Sequence, residues 1–199
     1  MEHVSNIVIT GDEVSFDLDT TDETWVNLLK RSFYQIQTVA IGYVVFNKNN
    51  GPREDHILAH RLGLCPIDNT QLDMTPLADK PKLLAQTGVL KVTGPRSVTT
   101  DDIRGIPFAH RQPLVELGPG ETLDLVCLLE IGNGFEHAKW LPSAAFRMRK
   151  FAGGYRVTFD TLGMLPGEQI VEQAIGSMRQ AAETPAINRF FNPLIPSDI

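Results

Sequence analysis

Residues 54–67 read EDHILAHRLGLCPI, a run that holds a short amphipathic segment, a glycine break and a proline stop. As a two-turn helix over residues 54–62, it sets Ile57, Leu58, Arg61 and Leu62 on one side, at i, i+1, i+4 and i+5. Gly63 ends that helix and Pro66 keeps it from resuming. A helix of this length is marginal alone, so the rest of the chain is expected to hold it.

Upstream, residues 4–9 and 14–18 alternate or nearly alternate apolar positions around a Thr10-Gly11-Asp12 turn, which predicts an opening hairpin. Thr20, Thr21 and Asp22 offer helix N-caps, with Asp22 and Glu23 in the first turn and Lys30 and Arg31 near the far end, all suited to the helix dipole. Trp25, Leu28, Leu29, Ser32, Phe33 and Ile36 form a wide stripe on that helix. A strand rich in β-branched and aromatic residues follows over 38–46. Between residues 68 and 111, Pro76, Pro81, Pro95 and Pro107 interrupt the pattern, which predicts small strands and long loops. Residues 122–131 then place Leu123, Leu125, Cys127 and Leu129 on one strand face. Residues 144–151 and 155–160 flank Gly153-Gly154 as a second hairpin. Pro166 opens a last helix, whose stripe is Ile170, Val171, Ala174, Ile175 and Met178. Without alternating βαβ units, this order gives the α+β class, with the proline-rich centre inserted between two halves of one domain.

Composition narrows the function. The chain has 199 residues, 42% of them hydrophobic, enough for a sizeable core. Its net charge of −6 argues against a broad phosphate-binding surface, so direct nucleic-acid binding is not expected. No apolar run approaches the roughly 20 residues that span a bilayer, and MEHVSNIVIT lacks the basic start and long apolar core of a signal peptide. These features predict a soluble intracellular protein without a membrane partner. Cys65 and Cys127 match no paired-ligand spacing and read as buried free thiols.

Two constellations could carry chemistry. His56 and His60 stand at i and i+4, with Glu54 and Asp55 nearby, but Ile57 occupies the place of the glutamate in an HExxH site. Residues 135–140, FEHAKW, gather acid, imidazole and ammonium groups without a nucleophile beside them. No GxSxG elbow, GxxxxGK[ST] loop or GxGxxG turn is present. Charged residues beside a tryptophan on a glycine-flanked loop suit docking better than catalysis.

Four segments, in order, resemble the α-like large assembly subunit of multisubunit DNA-directed RNA polymerases, found in the archaeal enzymes and, in eukaryotes, as the third-largest subunit of RNA polymerase II. Residues 27–31, NLLKR, with 37–41, QTVAI, resemble the family's NxLRR helix and PTxAI; residues 54–67 resemble its AHRLGL signature. Residues 136–140 repeat EHAKW, and Gly163 to Pro166 resemble the G-x-x-P before the last helix. The resemblance implies a dimerisation domain of a sheet with two long helices, at residues 1–46 and 147–199, interrupted by a mainly β inserted domain at 47–146. It implies no catalytic site and a heterodimer with a smaller α-like subunit, the pair forming the platform for the two large catalytic subunits. Trp25, Leu28, Leu29 and Phe33 then face that partner or the sheet, with Ile170 and Ile175 on the companion helix. Arg31, His60, Arg61, His137, Lys139 and Trp140 lie at contacts with the second-largest subunit or a small zinc-bearing subunit. Cysteine clusters that bind zinc or iron-sulfur in many members are absent, so no cofactor is implied. Trp25, Val26, Lys30 and Gln37 depart from the family pattern, and Phe190 to Leu194 form a short apolar tail. Those departures suit a compact member encoded by a large DNA virus. The competing readings are a small metal-dependent hydrolase using Glu54, His56 and His60, and a stand-alone adaptor that kept the fold.

Overall fold

The structure is a computed structural model and describes residues 4–183, so the apolar tail at 190–194 lies outside the described residues. In chain order the elements are β1 (Val4–Thr10), β2 (Glu13–Leu18), α1 (Glu23–Gln35), β3 (Gln37–Asn49) and α2 (Asp55–Gly63). Next come β4 (Pro76–Leu77), β5 (Lys80–Thr93), β6 (Arg96–Thr99), β7 (Pro113–Leu117) and β8 (Thr122–Asn133). The chain continues through β9 (Ser143–Phe151), β10 (Gly154–Thr161) and α3 (Gly167–Glu183). They form two compact units, Met1–Ile36 with Ser143–Thr161 and Pro166–Ile199, and Gln37–Pro142 with Leu162–Leu165. The units thus divide at 36/37 and 142/143, with 162–165 also in the second unit, while the resemblance implies domain boundaries at 46/47 and 146/147. The division of the units follows strand pairing. β3 pairs with β8 from Gln37 to Asn49, and β9 pairs only with β10.

In the first unit, an antiparallel sheet of order β1-β2-β10-β9 turns Val14, Phe16, Leu18, Val157 and Phe159 to one buried face. α1 begins at Asp22, whose carboxylate accepts the Thr24 N–H at 2.8 Å, and it has no basic residue in its last turn, because Lys30 and Arg31 stand too early. Its buried stripe is Val26, Leu29, Ser32 and Phe33, while Trp25 and Leu28 are half-buried. Phe33 sits edge-on to both Phe146 and Phe159 at 5.0 Å, a geometry that aromatic quadrupoles favour. α3 packs against α1 and buries Ile170, Val171, Ala174, Ile175 and Met178 as its period predicts.

The second unit is built on an antiparallel sheet of order β3-β8-β5-β4, with β6 and β7 as a separate ribbon. Leu123, Leu125, Cys127 and Leu129 alternate into the core from β8. β5 runs 14 residues, through Pro81, where short strands and loops were expected. Pro81 falls where the β4–β5 register is broken, a place that tolerates a missing N–H. Only Leu58 and Leu62 of α2 are buried, and Ile57 is 39% exposed, so the expected four-residue face narrows to an i, i+4 pair. Gly63 is the last helical residue rather than the stop. Leu64 caps the helix in a right-handed conformation, its N–H shared between the carbonyls of His60 and Arg61.

Candidate partner interface

Both signature segments of the second unit are tied to β3. From α2, Leu58 and Leu62 enter the same core as Val39 and Ile41, and Arg61 Nη2 donates to the Pro113 carbonyl at 2.8 Å, which fixes α2 beside β7. His60 stays exposed on the other side. The EHAKW segment forms a one-turn 3-10 helix at Ala138–Trp140, capped by His137, whose Nδ1 accepts the Lys139 N–H at 3.0 Å. Trp140 turns inward and is 6% exposed. Its indole N–H donates to the Glu130 carbonyl at 3.0 Å, and its own carbonyl accepts the Thr38 hydroxyl at 2.6 Å. Gly132 makes this possible, because a Cβ there would lie 2.4 Å from two indole carbons. Lys139 lies over the Trp140 ring, 4.2 Å from its centroid, and donates from Nζ to the Ile41 carbonyl at 3.1 Å. Burial holds its pKa below the ordinary lysine value, against the pull of Glu130 and Glu136. What the segment leaves at the surface is Phe135, Glu136, His137 and Ala138, with Glu136 paired to Lys82.

In the first unit, Leu29, Phe33, Ile170 and Ile175 are interior, while Trp25 and Leu28 are half-buried and Arg31 is exposed. Leu18, Thr20, Trp25 and Met178 line a cleft of about 70 Å³, room for a small apolar side chain. The sequence-predicted site residues therefore form two groups, one in each unit.

Two features escaped the sequence reading. Asn69 is buried, and its amide takes the Val39 N–H at 2.6 Å while donating to the Ile67 carbonyl at 2.7 Å and the Val39 carbonyl at 3.3 Å. Within IDNTQ it reads only as a turn residue. The second feature is an exposed apolar strip, in which Tyr43 and Val45 on β3 stand opposite Leu128 and Val126 on β8, and Val126 stands opposite Val89 on β5. Alternation reveals it once β3 and β5 are known to share one sheet.

Metal and catalytic chemistry find little here. His56 Nδ1 lies 3.2 Å from Glu54 Oε2, both side chains largely in solvent. Among the described residues no group of three His, Cys, Asp or Glu side chains could hold a metal ion. Both thiols are buried and free; Cys65 donates to the Arg61 carbonyl at 3.3 Å, and burial pushes Cys127 up to about 12.

No protein-family model matches the chain. It is 30% identical over 178 residues to DNA-directed RNA polymerase subunit Rpo3 of Methanocaldococcus jannaschii, a match covering 87% of this chain and 88% of that protein. Subunit Rpo3 of Pyrococcus horikoshii is 29% identical over 147 residues, covering 69% of this chain and 55% of that protein. For Methanobrevibacter smithii the figures are 30% over 145 residues, 67% and 53%, so the chain matches about half the length of these last two relatives.

Proposed function

The chain belongs to the Rpo3 family of DNA-directed RNA polymerase subunits, and from that premise we propose that it is a non-catalytic assembly subunit of such a polymerase. The observation that carries this reading is the 30% identity across 88% of the Methanocaldococcus jannaschii subunit, in a chain whose two signature segments both fasten to β3. In this reading the chain works inside cells, as part of the transcription complex. The half-buried Trp25 and Leu28 and the cleft beside Met178 meet the smaller α-like subunit, Leu29, Phe33, Ile170 and Ile175 hold the two helices in register for it, and the exposed Arg31 faces the second-largest or the small zinc-bearing subunit. His60, Arg61 and His137 lie at contacts with the second-largest or the small zinc-bearing subunit, with Trp140 and Lys139 fixing the loop that presents His137. Among the described residues no helix is long and apolar enough to cross a membrane. A hydrolase on His56 and His60 is not favoured, since the pair sits in solvent with Glu54 alone beside it.

The test is affinity purification of the tagged chain from its source, with mass spectrometry and a template-dependent nucleotide-incorporation assay on the eluate. Large polymerase subunits and a small α-like protein with RNA synthesis are expected. A chain that elutes alone and folded, with no polymerase subunit, overturns the assignment.

A further inference from the structure

β9 is the last strand of its sheet and pairs on one side only, with β10. Its sequence, SAAFRMRKF, carries three cations and no acid, in a chain of net charge −6. Two of the cations are accounted for. Arg147 reaches Glu13 at 3.1 Å and Asp160 at 3.3 Å, and Lys150 lies 5.6 Å from the Tyr155 ring centroid. Arg149 has no hydrogen-bonded or ion-paired partner among the described residues. The register shows where the nearest charges go. Arg149 stands directly opposite Arg156, and Arg156 is opposite Asp17. Asp17 is occupied by Arg156, which donates to its two carboxylate oxygens at 2.8 and 2.9 Å, and by Asn6, which donates to Oδ2 at 2.9 Å. Asp17 offsets the charge of Arg156, and among the described residues no further acid pairs with Arg149. Phe151, on the same face, is 42% exposed, so an apolar contact adjoins the unpaired guanidinium.

We propose that the free edge of β9, centred on Arg149, receives an acidic, extended segment of another polypeptide, a carboxylate meeting Arg149 and an apolar side chain meeting Phe151. This rests on the chain working within an assembly. The occupant is argued from charge complementarity: an unpaired guanidinium favours a bidentate carboxylate, and an open edge offers ladder hydrogen bonds to an added strand. Ala145, with φ of 51°, interrupts the edge upstream and confines the docking length to residues 147–151. The bland account is that edge cations only prevent strand-to-strand aggregation. It predicts no preference for an acidic probe.

The full-length chain is titrated into two fluorescein-labelled peptides, EVEVEVE and KVKVKVK, followed by fluorescence anisotropy at low and moderate salt. The acidic peptide is expected to bind, more weakly as salt rises, and the basic one not to bind. Arg149→Gln should weaken acidic-peptide binding by about tenfold, the worth of one charge-assisted hydrogen-bonded pair. Arg149→Lys should retain part of it. The melting temperature of Arg149→Gln should not fall, because Arg149 has no hydrogen bond or ion pair to lose among the described residues; binding loss without stability loss separates recognition from a structural role. Equal binding of both peptides, or an Arg149→Gln effect within twofold, overturns the proposal. Co-purification of polymerase subunits with the wild-type chain is scored separately, so failure of the assembly reading and failure of this docking edge give different results.

Discussion

Trp140→Ala and Gly132→Ala should each destabilise the protein alone and compensate when combined. Trp140 is 6% exposed, and a buried tryptophan removes roughly 200 Å² from water, worth about 5 kcal/mol at about 25 cal/mol/Å². Losing its bond to the Glu130 carbonyl adds about 1 kcal/mol, and the compactness of real unfolded chains returns roughly a third of the area figure. The net loss is about 4 kcal/mol, and with a urea slope of about 2 kcal/mol/M the unfolding midpoint falls by about 2 M. Gly132→Ala places a Cβ 2.4 Å from two indole carbons of a ring pinned at its N–H and its backbone carbonyl, an overpacking cost of about 2 kcal/mol. Once Trp140 is alanine, that methyl group enters vacated space and its cost disappears. The double-mutant cycle should therefore show about 2 kcal/mol of coupling. Equilibrium urea unfolding by far-UV circular dichroism measures it, and Trp25, in the first unit, remains as a fluorescence reporter when Trp140 is replaced. Additivity within about 0.5 kcal/mol would refute the clasp.

Asn69→Leu strands the Val39 N–H and the Ile67 carbonyl, which should cost about 3 kcal/mol; a urea midpoint shift below about 0.5 M would contradict that. Hydrogen bonds from Arg156 and then Asn6 hold the Asp17 carboxyl below its ordinary range, so its contribution is complete above pH of about 4 and is lost as pH falls through the lowered value. Asp17→Asn should therefore lower the melting temperature at pH 7, with the gap to wild type closing as pH drops below about 4; a constant gap would remove the ion pair as its cause. Leu28→Glu, on a half-buried position of α1, should reduce recovery of the smaller α-like subunit in the affinity eluate while the melting temperature changes by only a few degrees. Loss of folding without selective loss of that subunit would count against α1 as the contact.

Long periodic elements were legible because one period explains them. α3 and β8 bury the faces their spacing names, whereas on α1 the stripe is displaced, Val26 taking the buried place assigned to Trp25 and Leu28. β5 was illegible because Pro81 announces a break, and only pairing with β4 and β8 shows that the break falls at a register shift. The site was legible as motifs but not as geometry. EHAKW suggests a surface anchor, yet the direction of Trp140 depends on the absent side chain at Gly132 and on Thr38, 102 residues away.

These long-range bonds have a common place. β3 is an edge strand of its sheet, and between Val39 and Ile41 its outward backbone groups are taken by side chains: Asn69 at the Val39 N–H and carbonyl, Lys139 at the Ile41 carbonyl. An edge so occupied cannot template another strand, which is one of the ways proteins blunt an edge. From Tyr43 onward no such side chain covers it among the described residues, and Tyr43 and Val45 stand 57% and 49% exposed. The EHAKW lysine therefore spends its charge on closing half of an edge, at the cost of partial burial that lowers its pKa. Through Lys139 and Trp140 that motif sets the shape of the second unit's sheet.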